Sequence, residues 1–148
     1  FTLLPLFNIN GAPTEIKPNE LPPDVLEVLN SYVTILSSSE DVEAAAEKLE
    51  KIAGGHLLNS SGNISDDVKQ FSLKKDFNNI KFYSVPVIIT RVSVTKDDYD
   101  GYEDTLIEGT KYKIWIAKKK GKAGMPAPIP IIKPEKGNPK VVSSIGSL

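Results

Sequence analysis

Cysteine is absent from the 148-residue chain, which removes disulfides, thiol nucleophiles, iron–sulfur ligation and thiolate zinc sites. Histidine occurs once, as His56, so neither the His-pair metal motifs nor a multi-histidine centre can be assembled within one chain. No apolar run approaches the roughly 18 residues that a membrane-spanning helix requires. The Walker loop, the dinucleotide-binding glycine fingerprint, the nucleophile-elbow pentapeptide and zinc-ligand spacings are missing too, and no cofactor is expected. Phe1 to Phe7 are mostly apolar, without a basic leader, a small-residue cleavage site or an initiator Met. This suggests an upstream segment removed from the chain and leans towards export.

What is present has an ordinary globular balance, with 40% hydrophobic and 25% charged residues, so one folded core is expected. The net charge of −1 hides an uneven distribution, because residues 1–109 carry 9 basic and 18 acidic side chains, whereas residues 110–148 carry 9 basic and 1 acidic. The favoured reading is that acidic helices and basic strands complement each other across one fold. All the basic residues are lysines except Arg91, which weighs against a nucleic-acid surface, where arginine is the better reader of bases and phosphates.

Pro5, Pro13 and Pro18 interrupt residues 1–21 and leave little periodicity, so a loosely held leader is expected there, followed by a single domain over 22–148. Val25, Leu29, Tyr32, Val33 and Leu36 then share one helical face, with Pro22 and Pro23 suited to the first turn. Val42, Ala45, Ala46, Leu49, Ile52 and Ala53 form the apolar stripe of a second helix, with Ser39 as its cap and Gly54 and Gly55 as its end. Ser65 caps a third, whose inward face carries Val68 and Phe71. After Asn78 and Asn79 the period falls to two. A long strand or two is expected over Ile80 to Val94, with Ile88, Thr90, Val92 and Val94 on one face. A turn-rich segment over Asp97 to Asp104 follows. A hairpin partner over Thr105 to Lys118 puts Tyr112, Ile114 and Ile116 on one face and Lys111, Lys113, Trp115 and Ala117 on the other. Lys118 to Gly124 reads as a basic turn. Pro126, Pro128 and Pro130 would strip one strand edge of donors, which fits an edge segment or extended connector. A last strand is expected from Lys140 to Ile145.

The predicted fold class is therefore α+β, with N-terminal helices packed on a curved antiparallel sheet of about four strands. This order, the second helix Asp41-Val42-Glu43-Ala44-Ala45-Ala46 and the end of the chain, Val141-Val142-Ser143-Ser144-Ile145-Gly146-Ser147-Leu148, resemble the nuclear transport factor 2-like superfamily, the cystatin-like α+β cone. The resemblance covers residues 22–148 and implies a sheet wrapped around the long first helix, with an apolar pocket at the wide end of the cone. The superfamily includes steroid isomerases, dehydratases, epoxide hydrolases, transport factors and many proteins without known activity. The isomerase arrangement requires a carboxylate base facing a Tyr and a protonated acid. No residue of this chain can be matched to it one by one.

Tyr32, Phe71 and Tyr112 are the pocket-lining candidates for a small apolar ligand, although core packing is the default for each. His56 offers a base titrating near neutrality, against the commoner role of a helix-terminal polar residue. Asp97, Asp98, Asp100, Glu103 and Asp104 gather hard oxygen ligands, yet the calcium-loop pattern fails, with Lys96 and Ile107 where ligands belong, and no metal is expected. Lys118, Lys119, Lys120 and Lys122 beside Trp115 echo single-strand nucleic-acid binders, but a solubilising turn is the commoner use. Trp115, alternating with lysines, is a candidate anchor for a homodimer unless lysine stems cover it. Asn59 and Asn63 each begin a glycosylation triplet, a pattern frequent by chance. The leading expectation is a non-catalytic binding or interaction domain. The alternatives are a small-substrate isomerase or dehydratase using a buried acid/base pair, and a structural or self-assembly protein.

Overall fold

The computed structural model describes residues 12–148. The leader expected over 1–21 thus lies outside the described residues from 1 to 11. Its remainder is built into the fold: strand β1, Thr14–Ile16, pairs antiparallel with the next strand of the sheet, and Leu21 is buried. A three-residue strand is too short to show a period.

Helix α1 spans Pro23–Ser38 with Pro22 just outside it, and buries Val25, Leu29, Tyr32, Val33 and Leu36 as the spacing predicts. Helix α2, Val42–Leu49, is capped by Asp41, whose carboxylate accepts from the Ala44 amide at 2.8 Å. Ser39 is therefore not its cap; it closes α1, its hydroxyl donating to the Ile35 carbonyl at 2.6 Å. The apolar stripe outlasts the helix, because Ala53 bridges in parallel to Val141 instead of continuing the turn. The left-handed residue is Gly55, at φ +64°, where a Cβ would stand 2.0 Å from the Asp100 carboxylate. It forms the turn into His56, not the helix end.

Ser65 caps α3, Asp66–Gln70, and α4 follows as Ser72–Asn79. Between them Phe71 leaves helical geometry at φ −120° and ψ −83°, which shifts the phase of the buried stripe. Leu73 and Asp76 face inward in consequence, while Phe71, expected inside, is 70% exposed.

The remaining strands are β2, Ile89–Asp100, β3, Ile107–Ile116, β4, Ala127–Pro134, and β5, Lys140–Val141. They join β1 in an open antiparallel sheet of five strands in chain order, so the α+β class holds with one strand more than expected. The stretch before Ile89 is not strand, since Ile80–Phe82 forms a 3-10 turn. A bulge at Thr90 places two β2 residues against one of β3, so Ile89 packs against the core and Ile88 is exposed, the reverse of strict alternation. A second bulge, with Asp97 at φ +56°, carries β2 through the segment expected as a turn as far as Asp100.

Strand β3 keeps its predicted faces, with Ile114 and Ile116 buried. Strand β4 pairs with β3 along its full length, but beyond it only Ile131 and Ile132 pair with β5. The Pro130 carbonyl points to that outer side, where it accepts from the Val142 amide, so the missing proline donors face an edge that is mostly open among the described residues. The last strand stops at Val141, not Ile145. Residues 142–148 instead turn into the fold, burying Val142, Ile145 and Leu148. The core lies between α1 and the inner sheet face, where Leu29, Tyr32 and Val33 meet Val92, Ile114, Ile129 and Ile131.

Candidate functional site

The interior holds polar groups that water would ordinarily hydrate. Asp76 on α4 is 1% exposed, and its carboxylate accepts from the Tyr32 hydroxyl at 2.6 Å and from the Gly146 and Leu148 amides at 3.1 Å each. Burial raises its pKa above the ordinary carboxylate value, an effect the three donors partly offset. Burial, reinforced by the charge of Asp76 and the hydrogen bond to it, holds the Tyr32 hydroxyl well above its ordinary range. Tyr83 lies nearby, and its buried hydroxyl has no partner among the described residues. An Asp beside a Tyr in an apolar interior has the composition of an acid/base pair. The cavity next to Tyr32 measures only about 10 Å³, however, enclosed by residues including Leu49, Ile52, Leu57 and Val141. That is about one water probe and leaves no room for a substrate. The chemistry the arrangement supports is anchoring: α1, α4 and the chain end meet on one carboxylate.

Of the other pocket candidates, Phe71 is on the surface and lines nothing internal. Tyr112 is half-buried near the pair formed by Lys133 and Asp24, whose atoms approach to 3.0 Å. It borders an open groove of about 540 Å³ that also includes Asp97, Tyr99, Glu108, Gly109 and Glu135. Gly109 lets the strands close there, since a Cβ would meet the Lys133 carbonyl at 2.1 Å.

His56 is exposed, with its ring edge-on to Tyr102 at 5.5 Å, in a surface groove shared with Glu103 and Asp104. The fold thus supplies the carboxylates its sequence neighbours lack, but among the described residues no hydrogen bond joins them to the imidazole. Its backbone amide donates to Asp100 at 2.6 Å. Asp100 also accepts from the Ser143 hydroxyl, so this member of the acidic cluster is a buried structural group. Among the described residues no group of three or more His, Asp or Glu side chains is placed to hold a metal ion. Trp115 is half-buried, with the Arg91 guanidinium 4.5 Å from its ring centre and the Lys113 ammonium at 5.7 Å. Arg91 pairs in turn with Glu15 of β1. An arginine, more than lysine stems, covers the indole.

The polarity of the sheet along its strands is a feature the sequence reading missed. At the end where β2 begins and β3 finishes, segments 80–88 and 117–126 carry Lys81, Lys118, Lys119, Lys120 and Lys122 and no carboxylate. These segments are tied together, the Lys119 amide donating to the Phe82 carbonyl and the Ser84 amide to Ala117. At the opposite end, segment 97–108 carries six carboxylates and no basic residue, and the finish of β4 and start of β5 beside it add Glu135 with Lys133, Lys136 and Lys140, so the carboxylates outnumber the lysines there. Val85, Ile88 and Met125 are exposed at the first end and Tyr99, Tyr102 and Leu106 at the second; elsewhere only Leu26 and Phe71 are large exposed apolar side chains among the described residues. The acidic cluster and the lysine turn are both visible in the sequence, but only the hairpin places them at opposite ends.

Comparison with protein families, with characterised proteins and with solved structures finds no match.

Proposed function

We propose that this chain is a non-catalytic interaction domain that works through its surface. The observation that carries this reading is the filled interior, where the cavity beside Tyr32 offers about 10 Å³. A carrier or enzyme of the cone type would need a pocket between helices and sheet. The run of helices between β1 and the strands β2 to β5, and the antiparallel sheet itself, support a relationship to the nuclear transport factor 2-like cone, but with its ligand site replaced by side chains. The exposed apolar residues and unbalanced charge at the two sheet ends are features of surfaces that meet partners.

Native mass spectrometry of the protein purified without added ligand tests the reading. The expected result is the bare polypeptide mass, with no saturable binding of an apolar fluorescent probe to the folded chain. A small molecule retained at one copy per chain, and lost together with probe binding when Ile52→Trp fills the space beside Tyr32, would overturn it.

A further inference from the structure

The two ends of the sheet differ in sign and also in shape. At the basic end, Lys119 to Pro126 are eight consecutive exposed residues, a projecting turn with Lys119, Lys120 and Lys122 along it and Met125 84% exposed. At the acidic end lies the open groove over Gly109, walled by Tyr99 and Tyr112. Two of its basic neighbours are already engaged, Lys111 with Asp98 at 3.9 Å and Lys133 with Asp24 at 3.0 Å. Among the described residues Asp97, Glu108 and Glu135, which border the groove, form no ion pair. The projection thus matches the groove in charge, in form and in carrying apolar surface. Lysine ammonium groups also interact favourably with tyrosine faces.

The twelve residues of β2 hold the two ends roughly 35–40 Å apart at about 3.3 Å per residue, so one chain cannot close this contact on itself. Resting on the reading of the chain as an interaction domain, we infer that its partner is a second copy, the lysine turn of one molecule seating in the acidic groove of the next. Because the contact joins two unlike surfaces, it either repeats head to tail into chains or rings or closes as a two-fold pair in which each turn fills the other's groove. A nucleic-acid partner is less well served, since the half-buried Phe82 ring beside these lysines already lies under the Lys81 and Lys122 ammonium groups and the Trp115 ring is covered by Arg91. A lipid surface would use the basic end and leave the complementary groove without a role.

Sedimentation velocity across a concentration series tests the contact. At about 20 mM salt the weight-average mass should rise with concentration, and at about 1 M, where screening falls to roughly 3 Å, it should return to that of the monomer. The variant Lys119→Glu/Lys120→Glu/Lys122→Glu, with two acidic ends, should stay monomeric at low salt. So should Asp98→Lys/Glu108→Lys/Glu135→Lys, with two basic ends. An equimolar mixture of the two variants should associate again, a rescue that misfolded proteins could not give. A monomer under every condition, or association untouched by both triple variants, overturns the contact. So does binding to vesicles of anionic lipid by a chain that never self-associates. None of these results touches the parent reading, which falls only if a small molecule is found inside the domain.

Discussion

Tyr32 shows how one hydroxyl can couple the core to pH. The folded chain keeps its proton at a pH where the unfolded chain releases it, because burial first, then the charge of Asp76 and the hydrogen bond to it, hold the hydroxyl well above its ordinary value of 10.0. A group whose folded pKa is raised contributes stability that is complete below the unfolded value and is lost as pH climbs towards the folded one. The chain should therefore lose stability steeply above about pH 10. Tyr32→Phe should cost about 1.5–3 kcal/mol near neutrality, typical of a buried hydrogen bond to a charged acceptor. The same variant should lessen the alkaline fall, leaving the part due to Tyr83 and Tyr112, whose pKa values burial also raises, and urea unfolding between neutrality and high pH checks both; an unchanged alkaline slope would place the titration elsewhere. The periodicity of α1 showed that Tyr32 faces inward. That Asp76 meets it was not legible, since the phase of α4 depends on a break at Phe71.

At the scale of elements, that break separates what pattern can and cannot show. Val68 and Phe71 stand three residues apart, the spacing of one helical face, and only the backbone angles at Phe71 end that phase. Phe71→Ala should consequently change stability by no more than about 0.5 kcal/mol, as a surface substitution, whereas Leu73→Ala should cost about 2–5 kcal/mol as a core truncation. Equilibrium denaturation of both variants checks the contrast, and the reverse order would restore one continuous helix. The strands show the same division. The alternation of Tyr112, Ile114 and Ile116 survives because β3 is paired on both sides without a register shift against β4. That of Ile88 fails because one extra residue at Thr90 inverts the side-chain sequence. Bulges, the three-residue β1 and the two-residue β5 answer to neighbours distant in sequence, which no local period encodes.

For the whole molecule, the sign of the charge along the chain was legible, but its meaning changed once the hairpin was in place. The expected complement of acidic helices and basic strands is represented by Lys133 of β4 on Asp24 of α1 at 3.0 Å, while the runs over 97–108 and 118–122 lie at the two ends of the sheet. The chain end gives a second case of long-range organisation. Read as a strand, it would have extended the sheet. Instead the Gly146 and Leu148 amides donate to Asp76, and the Asn79 side chain donates to the Leu148 carbonyl at 3.0 Å, so the segment closes the core beneath α4. Deleting residues 145–148 removes the buried Ile145 and Leu148 and two of the three donors to Asp76, and should cost about 4 kcal/mol or more. At roughly 2–4 °C per kcal/mol for a chain of this size, the midpoint should fall by about 10 °C. Asp76→Asn should then cost less in the shortened chain than in the full one, by about 1 kcal/mol of coupling, because the donors it would disappoint are already gone. Equal costs in the two backgrounds would mean that apolar contact alone holds the segment, with the carboxylate serving only Tyr32.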